Sequence, residues 1–156
     1  MAPFARPTRL WIGGVGVSAA ARWDRERDWS LPGEPASIAR ARRAVVDTCV
    51  EWGYGVCEDA ELVASELVTN ALRHGRLESA RASTAPGVIG LRMTDVRPGL
   101  RIEVVDGYSM PPVEVPGRED AEGGYGLMIV GRLAAWGWRP TATGKVVWAE
   151  LRPQAS

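Results

Sequence analysis

Apolar positions recur with a helical period in two long stretches of the chain. Between Glu34 and Trp52, the residues Ile38, Ala41, Val45, Cys49 and Trp52 fall three or four apart, which is the buried face of an amphipathic helix. Glu34 and Pro35 suit its opening turn, because proline fits the first helical positions and an acid favours the N-terminal dipole. Arg40, Arg42 and Arg43 are then its solvated flank. Gly53 and Gly55 punctuate a turn, and a second helix is expected to start near Glu58 or Asp59 and to stop at Gly75, a natural C-terminal residue. Residues 76 to 86 then read as a polar loop closed by Pro86-Gly87.

The pattern elsewhere is that of strands. Arg27 to Leu31 is a short one stopped by Pro32-Gly33, and Val88 to Thr94 and Leu100 to Asp106 flank a hairpin loop over Asp95 to Gly99. Gly107 to Glu122 is long, rich in proline and acidic, and loops of more than ~12–15 residues in a compact domain are usually functional or disordered. Gly123-Gly124-Tyr125-Gly126 leads into a third helix over Leu127 to Trp136, and Trp138 to Thr143 and Lys145 to Leu151 form a closing hairpin. The order of strand, two helices, two strands, helix and two strands predicts an α+β fold. It would be a two-layer sandwich whose mixed, mainly antiparallel sheet is covered on one face by about three helices. At 156 residues one domain is expected, over 25–156, with residues 1–24 as a flexible tail. Arg6 and Arg9 before Leu10 to Val17 have the outline of a signal peptide, but Gly13, Gly14 and Gly16 break its apolar centre.

Charge narrows the functional classes. With 19 basic and 19 acidic residues the formal net charge is zero, which argues against a partner held by phosphate neutralisation, so no direct nucleic acid is expected. No run approaches the ~20 apolar residues of a membrane span. Cys49, Cys57 and the single histidine do not make a four-ligand zinc site without carboxylates, and the two cysteines read as reduced thiols suited to a cytoplasmic protein. Lys145 is the one lysine; it could reach a phosphate, but the reading preferred here is a solvated turn residue.

Three short constellations carry chemistry. Glu66, Asn70 and His74 stand at successive i, i+4 positions of the second helix, so a carboxylate, a carboxamide and an imidazole share one face. Asp106-Gly107 closes a strand, and Gly124-x-Gly126 opens a helix after the long loop. Singly, each has an ordinary reading: solvent-facing helix residues, a histidine favouring a helix C-terminus, a turn and a tight helix entry. The phosphate loop GxxxxGK[ST] and the dinucleotide fingerprint are both absent.

In this order the three pieces resemble the histidine-kinase-like ATPase (GHKL) superfamily, and its small anti-sigma-factor serine/threonine kinases in particular. The helix Glu66 to Gly75 looks like the family's N-box. Val104-Val105-Asp106-Gly107 looks like the first glycine box, and Gly124-Tyr125-Gly126-Leu127 like the second. Trp136-Gly137-Trp138-Arg139-Pro140 followed by Gly144-Lys145-Val146-Val147-Trp148-Ala149-Glu150-Leu151 is similar to the closing hairpin of the small bacterial members. The resemblance implies a Bergerat-type ATP-binding fold and the cofactors ATP and Mg²⁺. It makes Glu66 the catalytic residue and Asn70 the metal ligand. Asn70, His74, Asp106, Gly107, Gly124, Tyr125, Gly126 and Leu127 become nucleotide-binding residues, with Asp106 on the adenine amino group. Residues 107–122 become an ATP lid.

Two departures stand out: Tyr108 occupies the position of the usual Asp-x-Gly glycine, and Val146 that of a common threonine. The function implied is a kinase that phosphorylates an anti-sigma-factor antagonist and holds a sigma factor, with a homodimer as a further implication. The alternative is a non-catalytic ATP-binding module that sequesters a partner. Sensor kinases and the topoisomerase, chaperone and mismatch-repair relatives are disfavoured, since the only histidine lies in the N-box and their additional domains are not expected here.

Overall fold

A computed structural model describes residues 25–55, 57–82, 87–112 and 125–152. The elements run β1 (Glu26–Pro32), α1 (Ala36–Trp52), α2 (Cys57–Ala82), β2 (Val88–Val96), β3 (Gly99–Asp106), α3 (Tyr125–Leu133), β4 (Ala135–Thr141) and β5 (Gly144–Leu151). The expected tail over residues 1–24 lies outside the described residues, as does most of the expected lid.

The strands form one five-stranded sheet in the order β1-β2-β3-β5-β4. Among the described residues every pairing is antiparallel, so the expected mixed sheet is corrected to an antiparallel one. Strand alternation sets its two faces. Leu91 and Met93 of β2, Leu100, Ile102 and Val104 of β3, and Val147, Ala149 and Leu151 of β5 join the core with the helices. The other face is polar. Arg92 pairs there with Glu26 and Asp28, and Arg101 pairs with Glu103 and Glu150 while stacking over Trp148.

The helices cover the apolar face, giving the expected α+β sandwich. In α1 the residues Ala41, Val45, Cys49 and Trp52 are buried and Ile38 is partly buried, as the period required. Gly53 ends the helix in the left-handed region at φ 75, and the Tyr54 N–H donates to the Cys49 carbonyl. Arg40, Arg42 and Arg43 are exposed, and Arg42 bridges to Glu61 of α2. The buried stripe of α2 is Ala60, Val63, Ala64, Leu67, Val68, Ala71 and Leu72.

Three element boundaries differ from expectation. α2 does not stop at Gly75 but continues to Ala82. Gly75 is buried and extends the Ala71–Leu72 stripe, so it serves close packing within the helix rather than a C-terminal cap. The turn between β2 and β3 is only Arg97-Pro98, with Asp95 and Val96 inside the strand. Asp95 is in phase with Leu91 and Met93 and is therefore buried, where Arg25, Arg97 and the Tyr54 hydroxyl donate to its carboxylate. Burial raises the Asp95 pKa, but these donors outweigh it and hold the group below the usual carboxylate value; burial and the same carboxylate push Tyr54 up to about 12. Finally, α3 starts at Tyr125 and ends at Leu133, so Trp136 belongs to β4 and pairs with Ala149. The alternation of Trp136 and Trp138 with Gly137 suits a strand edge better than a last helical turn. Among the described residues no helix is long and apolar enough to cross a membrane.

Candidate functional site

Two clefts lie along α2. The first is a cavity of about 180 Å³ between α2 and the start of α3, lined by Glu66, Thr69, Asn70, Arg73, Tyr125, Gly126, Leu127 and Ile129. Glu66 and Asn70 flank the buried stripe of α2, and both are half-buried. Gly126 lets the two helices close on each other, because a Cβ there would stand 2.6 Å from Glu66 Oε2. Backbone N–H groups in the first turn of a helix have no partner within it, so this end of α3 is suited to anionic oxygens. Asn70 offers a neutral carboxamide oxygen as a ligand, and the Glu66 carboxylate lines the same cleft. Among the described residues no group of three or more His, Cys, Asp or Glu is placed to hold a metal ion. A carboxamide oxygen is a donor of the kind a hard cation such as Mg²⁺ takes.

The second cleft, of about 160 Å³, is lined by apolar and glycine positions, among them Ala71, Leu72, Gly75 and Ile89, together with Asp106, Gly107 and Tyr108. Asp106 is in phase with Leu100, Ile102 and Val104, so the alternation that builds the core also carries this carboxylate inside, 3% exposed. Its direct partner across the sheet is Lys145, in phase with Val147, Ala149 and Leu151 and 0% exposed. Lys145 Nζ donates to Asp106 Oδ1 at 2.9 Å and to the Tyr108 carbonyl at 3.1 Å. The reading of Lys145 as a solvated turn residue is thus corrected: strand phase turns it inward and the carboxylate compensates its charge. The Tyr108 N–H also donates to Asp106 Oδ1, at 2.9 Å. Asp106 Oδ2 is buried with no hydrogen-bond partner among the described residues. A buried acceptor in that state can take a donor from a bound molecule or an ordered water.

His74 lines neither cleft; its Nδ1 is 3.4 Å from Lys145 Nζ. An ammonium only donates, so Nδ1 accepts. Burial first, then the neighbouring Lys145 charge, lower the His74 pKa and keep the ring neutral.

The residues expected at the site thus separate into two groups. Glu66, Asn70, Tyr125, Gly126 and Leu127 come together in the first cleft. Asp106 and Gly107 come together in the second, while Gly124 lies outside the described residues. Lys145 and Gly75 were missed. The signal for Lys145 was its even spacing from Val147, Ala149 and Leu151; that for Gly75 was its place three and four residues after Leu72 and Ala71. Tyr108, noted as a departure, packs its ring on Gly75, where an added Cβ would lie 2.9 Å from Tyr108 Cε2.

Compared with known proteins, residues 31–150 match the model of a family described as histidine kinase-like ATPase domain. No curated protein matches the chain.

Proposed function

The chain belongs to the histidine kinase-like ATPase domain family, an ATP-binding family, and from that premise we propose that it is an ATP-dependent serine/threonine protein kinase acting on an anti-sigma-factor antagonist. The observation that carries the reading is the sharing of α2 between the clefts. Asn70 lines one and Gly75 the other, about 8 Å apart along the helix axis at 1.5 Å per residue. Each cleft is smaller than the ~300–1,000 Å³ of a whole small-molecule site, so each suits one end of a nucleotide. Asp106 Oδ2 would receive the base amino group, and the first turn of α3 would receive the phosphates.

When bound with the nucleotide, Mg²⁺ would neutralise charge on the phosphate oxygens. Asn70 would hold it through the carboxamide oxygen. Glu66, one turn earlier, would accept the proton of the attacking seryl or threonyl hydroxyl as the new oxygen–phosphorus bond forms and the bond from the γ-phosphorus to the β,γ-bridging oxygen breaks, with ADP as the leaving group. Arg73 adds a cationic side chain to the same cleft. Positioned bases of this kind contribute about 10²–10⁴-fold.

The test is transfer of labelled phosphate from ATP to such antagonist proteins. Label on a serine or threonine of one of them, abolished by Glu66→Ala, is the expected result. Absence of label on every antagonist tried, from a preparation that binds ATP, would replace this reading with the sequestering module. The observation that favours this second reading is the Tyr108 ring packed on Gly75 inside the base cleft. The sigma factor as a held partner, the homodimer and the cytoplasmic location belong to the same proposal.

A further inference from the structure

We propose that Lys145 is the positioning residue of the base pocket: by holding Asp106 Oδ1 it leaves Oδ2 as the acceptor that selects a base bearing an exocyclic amino group over one bearing a carbonyl. The inference rests on the nucleotide-site reading above and adds to it how the carboxylate is aimed.

A carboxylate on its own has two equivalent oxygens and can turn about its last bond. Here that freedom is removed. Lys145 Nζ and the Tyr108 N–H both donate to the same oxygen, each at 2.9 Å. The ammonium is itself fixed, since its three N–H groups have three acceptors: Asp106 Oδ1, the Tyr108 carbonyl at 3.1 Å and His74 Nδ1 at 3.4 Å. With no donor left over, Lys145 is committed to aiming Asp106 and does not extend to a phosphate. Its contact with the Tyr108 carbonyl ties the residues just after β3 to the same point, so the turn that lines the cleft and the carboxylate are set together. Oδ2 is then the one oxygen of the pair that is buried without a donor.

The geometry has a consequence that a merely structural ion pair lacks. Two donors converge on the Oδ1 position, so a carboxamide at residue 106 must keep its oxygen there. Its NH₂ then stands where Oδ2 stood and presents a donor in place of an acceptor. Asp106→Asn is therefore expected to invert the preference for the base, from a 6-amino to a 6-oxo purine, rather than simply to weaken binding.

The experiment is calorimetric titration of ATP and of ITP, each with Mg²⁺, into the full chain as wild type, Asp106→Asn and Lys145→Met. Circular dichroism checks that each variant is folded. Wild type is expected to favour ATP by about tenfold or more, the difference that one paired against one unpaired buried acceptor makes. Asp106→Asn is expected to favour ITP, and Lys145→Met, whose carboxylate keeps the Tyr108 N–H as its one donor, to lower the wild-type preference for ATP by about threefold or more. A wild-type ratio retained in folded Lys145→Met, or equal weakening of both nucleotides in Asp106→Asn, would overturn the proposal. Equal binding of ATP and ITP by wild type would overturn it too while leaving the nucleotide site standing. Binding of neither would remove the site itself. Should Lys145→Met fail to fold, the double variant Asp106→Asn/Lys145→Met, which buries no unpaired charge, decides: the inversion seen in Asp106→Asn is expected to diminish in it, and an undiminished inversion would overturn the proposal.

Discussion

Gly126 faces Glu66 so closely that a Cβ on the glycine would lie 2.6 Å from Glu66 Oε2. The glycine at the start of α3 is thus tied to the carboxylate on α2, besides leaving helix N–H groups open to anions. Gly126→Ala forces Glu66 to another rotamer while α3 itself accepts alanine well. Phosphoryl transfer or ATP hydrolysis is expected to fall about tenfold or more, since a displacement near 1 Å can cost far more than that. ATP affinity measured by calorimetry should change less. An alanine variant with full turnover would dissociate the carboxylate's position from the chemistry.

Replacing Glu66 by Gln keeps the shape and removes the base. Turnover should drop by about 10²–10⁴-fold with nucleotide binding retained. Asn70→Ala should do the reverse in the first instance, weakening Mg²⁺-dependent ATP binding by about tenfold or more, because a lost ligand to a charged group is worth about 1.5–3 kcal/mol. Titrations with and without Mg²⁺ separate the two effects. A loss equal in both conditions would assign Asn70 to the nucleotide rather than to the cation.

His74 makes the stability of the protein depend on pH in a defined window. Its folded-state pKa is lowered from the ordinary 6.5 by burial and by the Lys145 charge. The unfolded chain therefore takes up a proton that the folded chain resists. Stability is present above about pH 6.5 and is lost as pH falls below it. His74 is the only histidine, so thermal unfolding between pH 7.5 and 5.5 reads mainly this group. His74→Gln is expected to flatten the dependence, and an unchanged slope in that variant would count against a neutral buried ring.

At the opposite end of the sheet, Tyr54 donates to Asp95, whose side chain is fully buried. Tyr54→Phe leaves that carboxylate with the two arginines alone and should cost about 1–3 kcal/mol. Chemical denaturation would measure it. The ATP-binding affinity should be unaffected, because neither residue lines a cleft.

The order of elements and the buried face of α1 were legible in the residues, because period and turn chemistry are local properties of the chain. The same locality made Gly75 look like a stop. Only the packing of Tyr108 and the sheet against α2 shows why a glycine belongs inside that helix. Trp136 was drawn into α3 by its neighbours, and its pairing with Ala149, contributed by a strand further along, decided for β4.

By itself the sequence determined which chemistry-bearing residues this protein owns and on which elements they sit: Glu66 and Asn70 one turn apart, Asp106 at a strand end, Gly126 at a helix start. What only the tertiary structure decided is how they are aimed. Strand alternation turns a residue to one face, but it does not say which neighbour the sheet will set opposite. The register of β3 on β5 places Lys145 against Asp106. A buried charge must find its partner, so the pairing turned an apparently exposed lysine into the buried partner of the Asp106 carboxylate.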